Sequence, residues 1–182
     1  MNTEKRLEIE VKIKVQRLEP LRREIMGLPA VLETERAFES NIVFDSARGE
    51  LRERGMLLRL RRTGERAVLT LKAPAQDDSR YKVREETEVT VSDFTAAEKI
   101  IGALGFRVFF IYEKYREVFS AGGARIMIDE TPIGDFIEVE GDPERIDAVA
   151  ARLGFTADDY IRDSYYQLFL RCGRPGHMVF GT

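Results

Sequence analysis

Two acidic pairs, Glu8/Glu10 and Glu138/Glu140, and two basic pairs, Arg59/Arg61 and Lys114/Arg116, carry the chemistry most visible in this chain. Within each pair one residue intervenes, so in a strand both members share a face about 7 Å apart. Like charges held that way repel modestly, and a solvated surface has no reason to favour the arrangement. A ligand of opposite sign removes the penalty. Paired carboxylates suit Mg²⁺ or Mn²⁺, which take a few carboxylate oxygens and complete their shell with water and phosphate oxygens. Lys and Arg donate to phosphate oxygens, Arg to two at once. Both kinds of pair are satisfied together by a metal-bound polyphosphate.

The elements that must position these residues are strands. Period-2 alternation runs through Leu7–Val15, where Glu8, Glu10, Lys12 and Lys14 share one face and Leu7, Ile9, Val11, Ile13 and Val15 the other. It recurs in 56–62, 67–72, 81–91, 112–119, 124–129 and 136–140, with 41–45 a weaker candidate. Thr63-Gly64-Glu65-Arg66 and Ala121-Gly122-Gly123-Ala124 read as hairpin turns, so neighbouring strands are expected to be antiparallel. Helical spacing appears between strand groups: Leu18, Leu21, Ile25, Leu28; Phe94, Ala97, Ile101, Leu104 after Ser92-Asp93; and Ile146, Val149, Leu153 after Asp142-Pro143. Ser164–Arg171 forms a fourth amphipathic stretch. A strand with Glu-x-Glu followed directly by a helix occurs at Glu8/Glu10, Glu86/Glu88 and Glu138/Glu140, a weak internal repeat compatible with duplication or convergence.

If the helices cover the apolar faces, the charged faces point inward and a closed sheet becomes a water-filled tunnel. Eight basic candidates (Lys12, Arg59, Arg61, Lys72, Arg84, Lys114, Arg116, Arg125) then face seven acidic ones (Glu8, Glu10, Glu86, Glu88, Asp129, Glu138, Glu140). The competing reading is a one-sided sheet whose charged faces meet bulk water.

Composition sets the outer bounds. The 182 residues include 29 Lys or Arg and 32 Asp or Glu, yet the net charge is only −3. With 43% hydrophobic residues the chain has enough apolar matter for a core, and length and the lack of a Pro/Gly/Ser linker point to one domain, 1–171, with a tail over 172–182. A pI near 5.5 offers no global field for nucleic acid or an anionic membrane. One cysteine, Cys172, precludes an internal disulfide, and one histidine, His177, precludes a histidine-rich metal site. The N-terminus Met1–Arg6 lacks an apolar leader core, and no apolar run approaches the ~18 residues of a membrane span, so a cytoplasmic protein is expected. Cys172 is expected to be semi-buried, the tail with His177 mobile, and Phe109-Phe110-Ile111 core.

Glu8-Ile9-Glu10-Val11-Lys12 resembles the Glu-x-Glu-x-Lys signature that opens the CYTH domains, or triphosphate tunnel metalloenzymes. The rest follows in the family's order: Leu58-Arg59-Leu60-Arg61, Leu69-Thr70-Leu71-Lys72, Arg84-Glu85-Glu86-Thr87-Glu88, Lys114-Tyr115-Arg116, Ile128-Asp129, Gly134–Gly141 and Ser164-Tyr165-Tyr166. The resemblance implies an α+β fold, mainly β: a closed eight-stranded antiparallel barrel with helices packed outside. It implies that Glu8, Glu10, Glu138 and Glu140 hold a catalytic Mg²⁺ or Mn²⁺, and that Lys12, Arg59, Arg61, Lys72, Arg84, Lys114 and Arg116 grip a triphosphate. Arg125 joins the basic set on its face alone. Asp129 stands where the family has an acid near the reacting phosphate, as metal ligand or base; Glu86 and Glu88 either assist the metal or pair structurally. Asp129, Glu138, Glu140 and Lys12 are the catalytic candidates.

Within the family, the segment 128–136 and the chain length look most like the class IV adenylyl cyclase group, which implies ATP converted to cyclic AMP and pyrophosphate. Other members hydrolyse tripolyphosphate, thiamine triphosphate or nucleoside triphosphates, and a triphosphatase is the alternative. A non-catalytic polyphosphate or nucleotide sensor is a third reading; it needs the basic wall but not all four glutamates. A homodimer is left open, and no Trp is present to stack on a base or thiazolium.

Overall fold

The computed structural model describes residues 6–76 and 78–181. Met1–Lys5 of the N-terminal segment, Asp77 and Thr182 lie outside the described residues. The order is β1 (Arg6–Val15), α1 (Leu18–Gly27), β2 (Ala30–Ser46), α2 (Glu50–Glu53), β3 (Leu57–Thr63), β4 (Arg66–Gln76), β5 (Lys82–Val91), α3 (Phe94–Ala103), β6 (Phe106–Ala121), β7 (Ala124–Thr131), β8 (Gly134–Glu140), α4 (Pro143–Arg152), a 3₁₀ turn (Ala157–Asp159) and α5 (Tyr165–Arg171). The strands close into a barrel in the order β1-β5-β4-β3-β2-β6-β7-β8, with antiparallel pairs throughout. No helix among the described residues is long and apolar enough to cross a membrane.

Period-2 alternation builds this shell because the outward residues have helices to bury against. Val11, Ile13 and Val15 of β1, Ile126 and Ile128 of β7, and Ile137 and Val139 of β8 pack under Leu21 and Ile25 of α1 and Ile146, Val149, Ala150 and Leu153 of α4. Leu60 of β3 and Phe44 of β2 pack under Ala97 and Ile101 of α3. Asp93 caps α3 by accepting from the Ala96 amide at 2.9 Å, and Ser164 with Gln167 forms a capping box on α5. The β6–β7 turn uses Gly122 and Gly123 at φ of 61° and 79°, backbone that a side chain would strain.

Several expectations need correction. The weak strand at 41–45 is the end of a 17-residue β2, and the strand at 112–119 is the middle of a 16-residue β6. Residues 31–36 are exposed, so no buried face imposed the alternation that would have marked them. The stretch 73–76, expected as a connection, continues β4 against β5. The single turn α2 went unforeseen because four residues carry no periodicity.

Part of the tail, expected to be mobile, is docked on β6 around Met178. Residues 115–121 of β6 pair with β7, and alongside the free edge of residues 111–113 Met178 donates to the Ile111 carbonyl at 3.0 Å and accepts from the Glu113 amide at 2.8 Å. Met178 is fully buried, and the Ile111 amide also donates to His177 Nδ1 at 3.2 Å. Cys172 is exposed rather than semi-buried. Phe110 is core as expected, but Phe109 is half-buried and lines the barrel cavity.

Candidate functional site

The inward faces enclose a cavity of about 1010 Å³. Barrel closure sorts its walls by strand order. The three strands bearing Glu-x-Glu, β8, β1 and β5, are consecutive around the ring, so Glu138, Glu140, Glu8, Glu10, Glu86 and Glu88 line one arc. Lys72 of β4, Arg59 and Arg61 of β3, and Lys114 and Arg116 of β6 line the other. The charged faces therefore do not meet bulk water on a one-sided sheet. Lys12 and Arg84 stand on the acidic arc, and Arg125 lies toward its edge, 39% exposed, with Nε 3.0 Å from Glu33 and Nη1 3.7 Å from Glu140.

Cross-strand register fixes the ion pairs. Lys12 opposes Glu138 and donates to it at 2.5 Å, while Glu10 opposes both Glu140 and Lys82. Lys82 bonds Glu10 at 2.9 Å, and Lys72 bonds Glu8 at 2.6 Å and approaches Glu86 at 3.4 Å. Arg116 also donates to Glu138. Glu88 accepts from the Thr70 hydroxyl at 3.2 Å, and Arg59 donates to Thr70 and Tyr112. The buried Arg59 Nε has no hydrogen-bond partner, an uncommitted donor in the basic wall.

Electrostatics follow from this crowding. Burial pushes the Glu8 carboxyl up, aided by Glu10, and this outweighs Lys72. Burial also acts to raise Glu10, but Lys82, Lys12 and Lys72 together overcome it and hold the carboxyl far below its ordinary range. Glu138 goes the same way: Lys12, Arg116 and Lys114 defeat burial. Lys12 is raised because Glu138 and Glu10 outweigh its desolvation, whereas burial lowers Lys82, with Arg84 and Lys12 assisting against Glu10.

Asp129, which the resemblance implies as metal ligand or base, is held by residues of the basic wall. It is 0% exposed and is absent from the cavity lining. Its oxygens take Lys114 Nζ at 2.9 Å, Arg116 Nε and Nη2 at 2.6 Å each, and the Tyr165 hydroxyl at 2.6 Å. With four donors on two oxygens, this carboxylate braces the basic wall. Arg116 and Lys114 hold it ionised against burial.

Sequence reasoning missed four residues in or beside the cavity. Lys82 shares the inward parity of Arg84, Glu86 and Glu88, a signal that was present in the alternation of 81–91. Tyr112 and Tyr165 meet in the ring cluster where α5 packs against the barrel end, 5.9 Å apart, with Lys12 Nζ 4.4 Å from the Tyr165 ring. Glu39 of β2 sits between Arg61 and Lys114 in the unforeseen part of its strand.

Among the described residues no three acidic, histidine or cysteine side chains already converge as a cation site. The donor set nevertheless suits a hard divalent ion: Glu8, Glu10, Glu138 and Glu140 are carboxylates on two adjacent strands, opening on one cavity. Glu8 and Glu10 repel each other, as do Glu10 and Glu138, and a cation would relieve both.

A closed antiparallel barrel whose interior, rather than its surface, carries sorted charge defines a class of tunnel proteins. Residues 6–165 match the CYTH domain model, and the chain belongs to that family. It is 26% identical over 173 residues to a Methanocaldococcus jannaschii protein named "Putative adenylate cyclase", covering 89% of this chain and 98% of that one. Among solved structures, a Pyrococcus horikoshii protein is 27% identical with a TM-score of 0.75, covering 88% of this chain and 98% of its own. A Vibrio parahaemolyticus structure described as a "putative adenylate cyclase" shares the fold at 20% identity and a TM-score of 0.81, covering 92% and 99%. A Hippeastrum structure does so at 19% identity and 0.68, covering 93% and 96%; it is described as a "putative adenylyl cyclase" with a dominant triphosphatase activity.

Proposed function

We propose that this protein is a divalent-metal-dependent enzyme acting on a triphosphate inside the barrel, with conversion of ATP to cyclic AMP and pyrophosphate as the reaction. The observation that carries the reading is the apposition of the two arcs across one cavity: carboxylates on β8, β1 and β5 and an Arg/Lys wall on β4, β3 and β6. Glu8, Glu10, Glu138 and Glu140 would hold Mg²⁺ or Mn²⁺, which when bound neutralises charge developing on phosphate oxygens. Arg59, Arg61, Lys72, Arg84, Lys114 and Arg116 take the remaining phosphate oxygens and keep the reacting phosphorus in one position. Lys12, between Glu138 and the Tyr165 ring, is placed to exchange its carboxylate contact for a phosphate oxygen. An organic head has room as well: Met56, Leu57, Phe109 and Tyr166 give the cavity an apolar, aromatic portion that an inorganic chain would not use.

Triphosphate hydrolysis is the second reading, favoured by the activity described for the Hippeastrum neighbour. The clamp serves both reactions, which differ in whether a ribose hydroxyl attacks the α-phosphorus or water attacks the γ-phosphorus. Purified protein with Mg²⁺ or Mn²⁺ is to be incubated separately with ATP, tripolyphosphate and thiamine triphosphate, and the products resolved. Cyclic AMP with pyrophosphate is the expected result; orthophosphate selects the hydrolase, and binding without turnover selects a sensor.

A further inference from the structure

Glu39 is the one acid that lines the cavity on the basic arc, among the described residues. It is 6% exposed and lies opposite Lys114 in the β2–β6 register. Its Oε1 accepts from Arg61 Nη1 at 3.3 Å; its Oε2 is buried without a hydrogen-bond partner, with Lys114 Nζ 3.8 Å away. Arg61, Lys114 and Arg116 outweigh burial and keep the carboxyl ionised. A negative charge in the middle of a phosphate clamp repels the ligand the clamp attracts, and a buried acceptor left unpaired is costly. The second penalty is lifted if the bound state brings an O–H donor to Oε2, and the first is the cost of keeping an acceptor there.

We infer that Glu39 is a catalytic residue that accepts a hydrogen bond from the attacking O–H, whether ribose hydroxyl or water, and so aligns its lone pair on the phosphorus held by Arg61, Lys114 and Arg116. As the new O–P bond forms and the bond to the leaving phosphate oxygen breaks, the O–H proton passes to Oε2 and leaves to solvent with product release. The inference rests on the triphosphate reading proposed above.

The test separates binding from turnover. Affinity for tripolyphosphate is measured by calorimetry without divalent metal, and kcat is measured with Mg²⁺ on whichever triphosphate the native protein turns over. In Glu39→Gln, kcat should fall by about 100-fold or more, the usual contribution of such a group. Tripolyphosphate affinity should hold or rise severalfold, since a repulsive charge has left the clamp. Added formate should restore part of the kcat of Glu39→Ala. Weakened tripolyphosphate binding together with no formate rescue would make Glu39 only a brace for Arg61 and Lys114 and overturn the inference, as would an unchanged kcat. Glu39→Asp, which keeps the charge, controls for misfolding and should retain native affinity with reduced kcat. A native protein inert toward every triphosphate sinks the proposed function and this inference together; an active native protein with a fast Glu39→Gln sinks this inference alone.

Discussion

Replacing Asp129 by Asn is the sharpest probe of how the basic wall is held. The carboxylate is fully buried and binds Lys114, both faces of the Arg116 fork and the Tyr165 hydroxyl. Asn offers one acceptor oxygen and turns a pair of N–H groups toward those donors, leaving two buried cations short of an anion. Breaking a buried pair by removing one partner costs about 3–5 kcal/mol. At about 2–4 °C per kcal/mol for a domain of this size, the melting midpoint should fall by roughly 6–20 °C. Thermal unfolding followed by circular dichroism reads it directly. The sign with pH follows from the depressed carboxyl: its stabilisation is in place above the unfolded value of about 3.9 and is lost as pH falls through the lower folded value. The gap between native and variant should therefore be full near neutral pH and close progressively below about pH 4. Saturating tripolyphosphate should narrow it, because phosphate oxygens replace the missing carboxylate for Lys114 and Arg116. A variant within about 1 kcal/mol of native at neutral pH, the range of an exposed pair, would refute the bracing role.

Three further outcomes follow from the same geometry. Glu138→Gln removes a carboxylate from the metal set and the anion from Lys12 and Arg116, so metal-stimulated turnover should drop by about 100-fold or more while tripolyphosphate binding persists, read by kinetics and calorimetry. Phe109→Ala strips a ring that stacks on Arg52 at 3.7 Å and packs on Tyr166 at 4.7 Å beside the cavity; KM for ATP should rise about tenfold, roughly 1.4 kcal/mol, with that for tripolyphosphate unchanged. Met178→Ala opens a void in the cluster of Phe110, Tyr112, Tyr165 and Phe169, and chemical denaturation should show a loss of about 2–5 kcal/mol; a change under 1 kcal/mol would mean that the tail is not packed.

Much of the fold and the site was legible because strand parity is a local property. Glu8, Glu10 and Lys12 share a face whatever their neighbours, and so do Arg59 with Arg61 and Lys114 with Arg116. The outer helices were legible from their spacing and caps, since Leu21 and Ile25 or Ile146 and Val149 need an apolar sheet beneath them. The arm of β2 at 31–36 was not, because exposed residues on both of its faces obey no pattern; the buried Glu39 shares the parity of Asn41 and Val43 and lay just beyond the expected strand at 41–45.

What the sequence determined by itself is therefore which side chains look inward and which bury outward. Only the tertiary structure decided who meets whom. Alternation sets a residue's face but neither its strand's neighbours nor its height along the barrel. Closure places β5 beside β1, 70 or so residues away in the chain, and so sets Lys82 on Glu10 and Arg84 beside Glu8. Asp129 has the inward parity of Arg125, and only the fold brings Tyr165 of α5 and the Lys114/Arg116 pair of β6 onto its oxygens. Those contacts join residues 114, 116, 129 and 165 from three elements, and a pattern of period two holds no information across such separations.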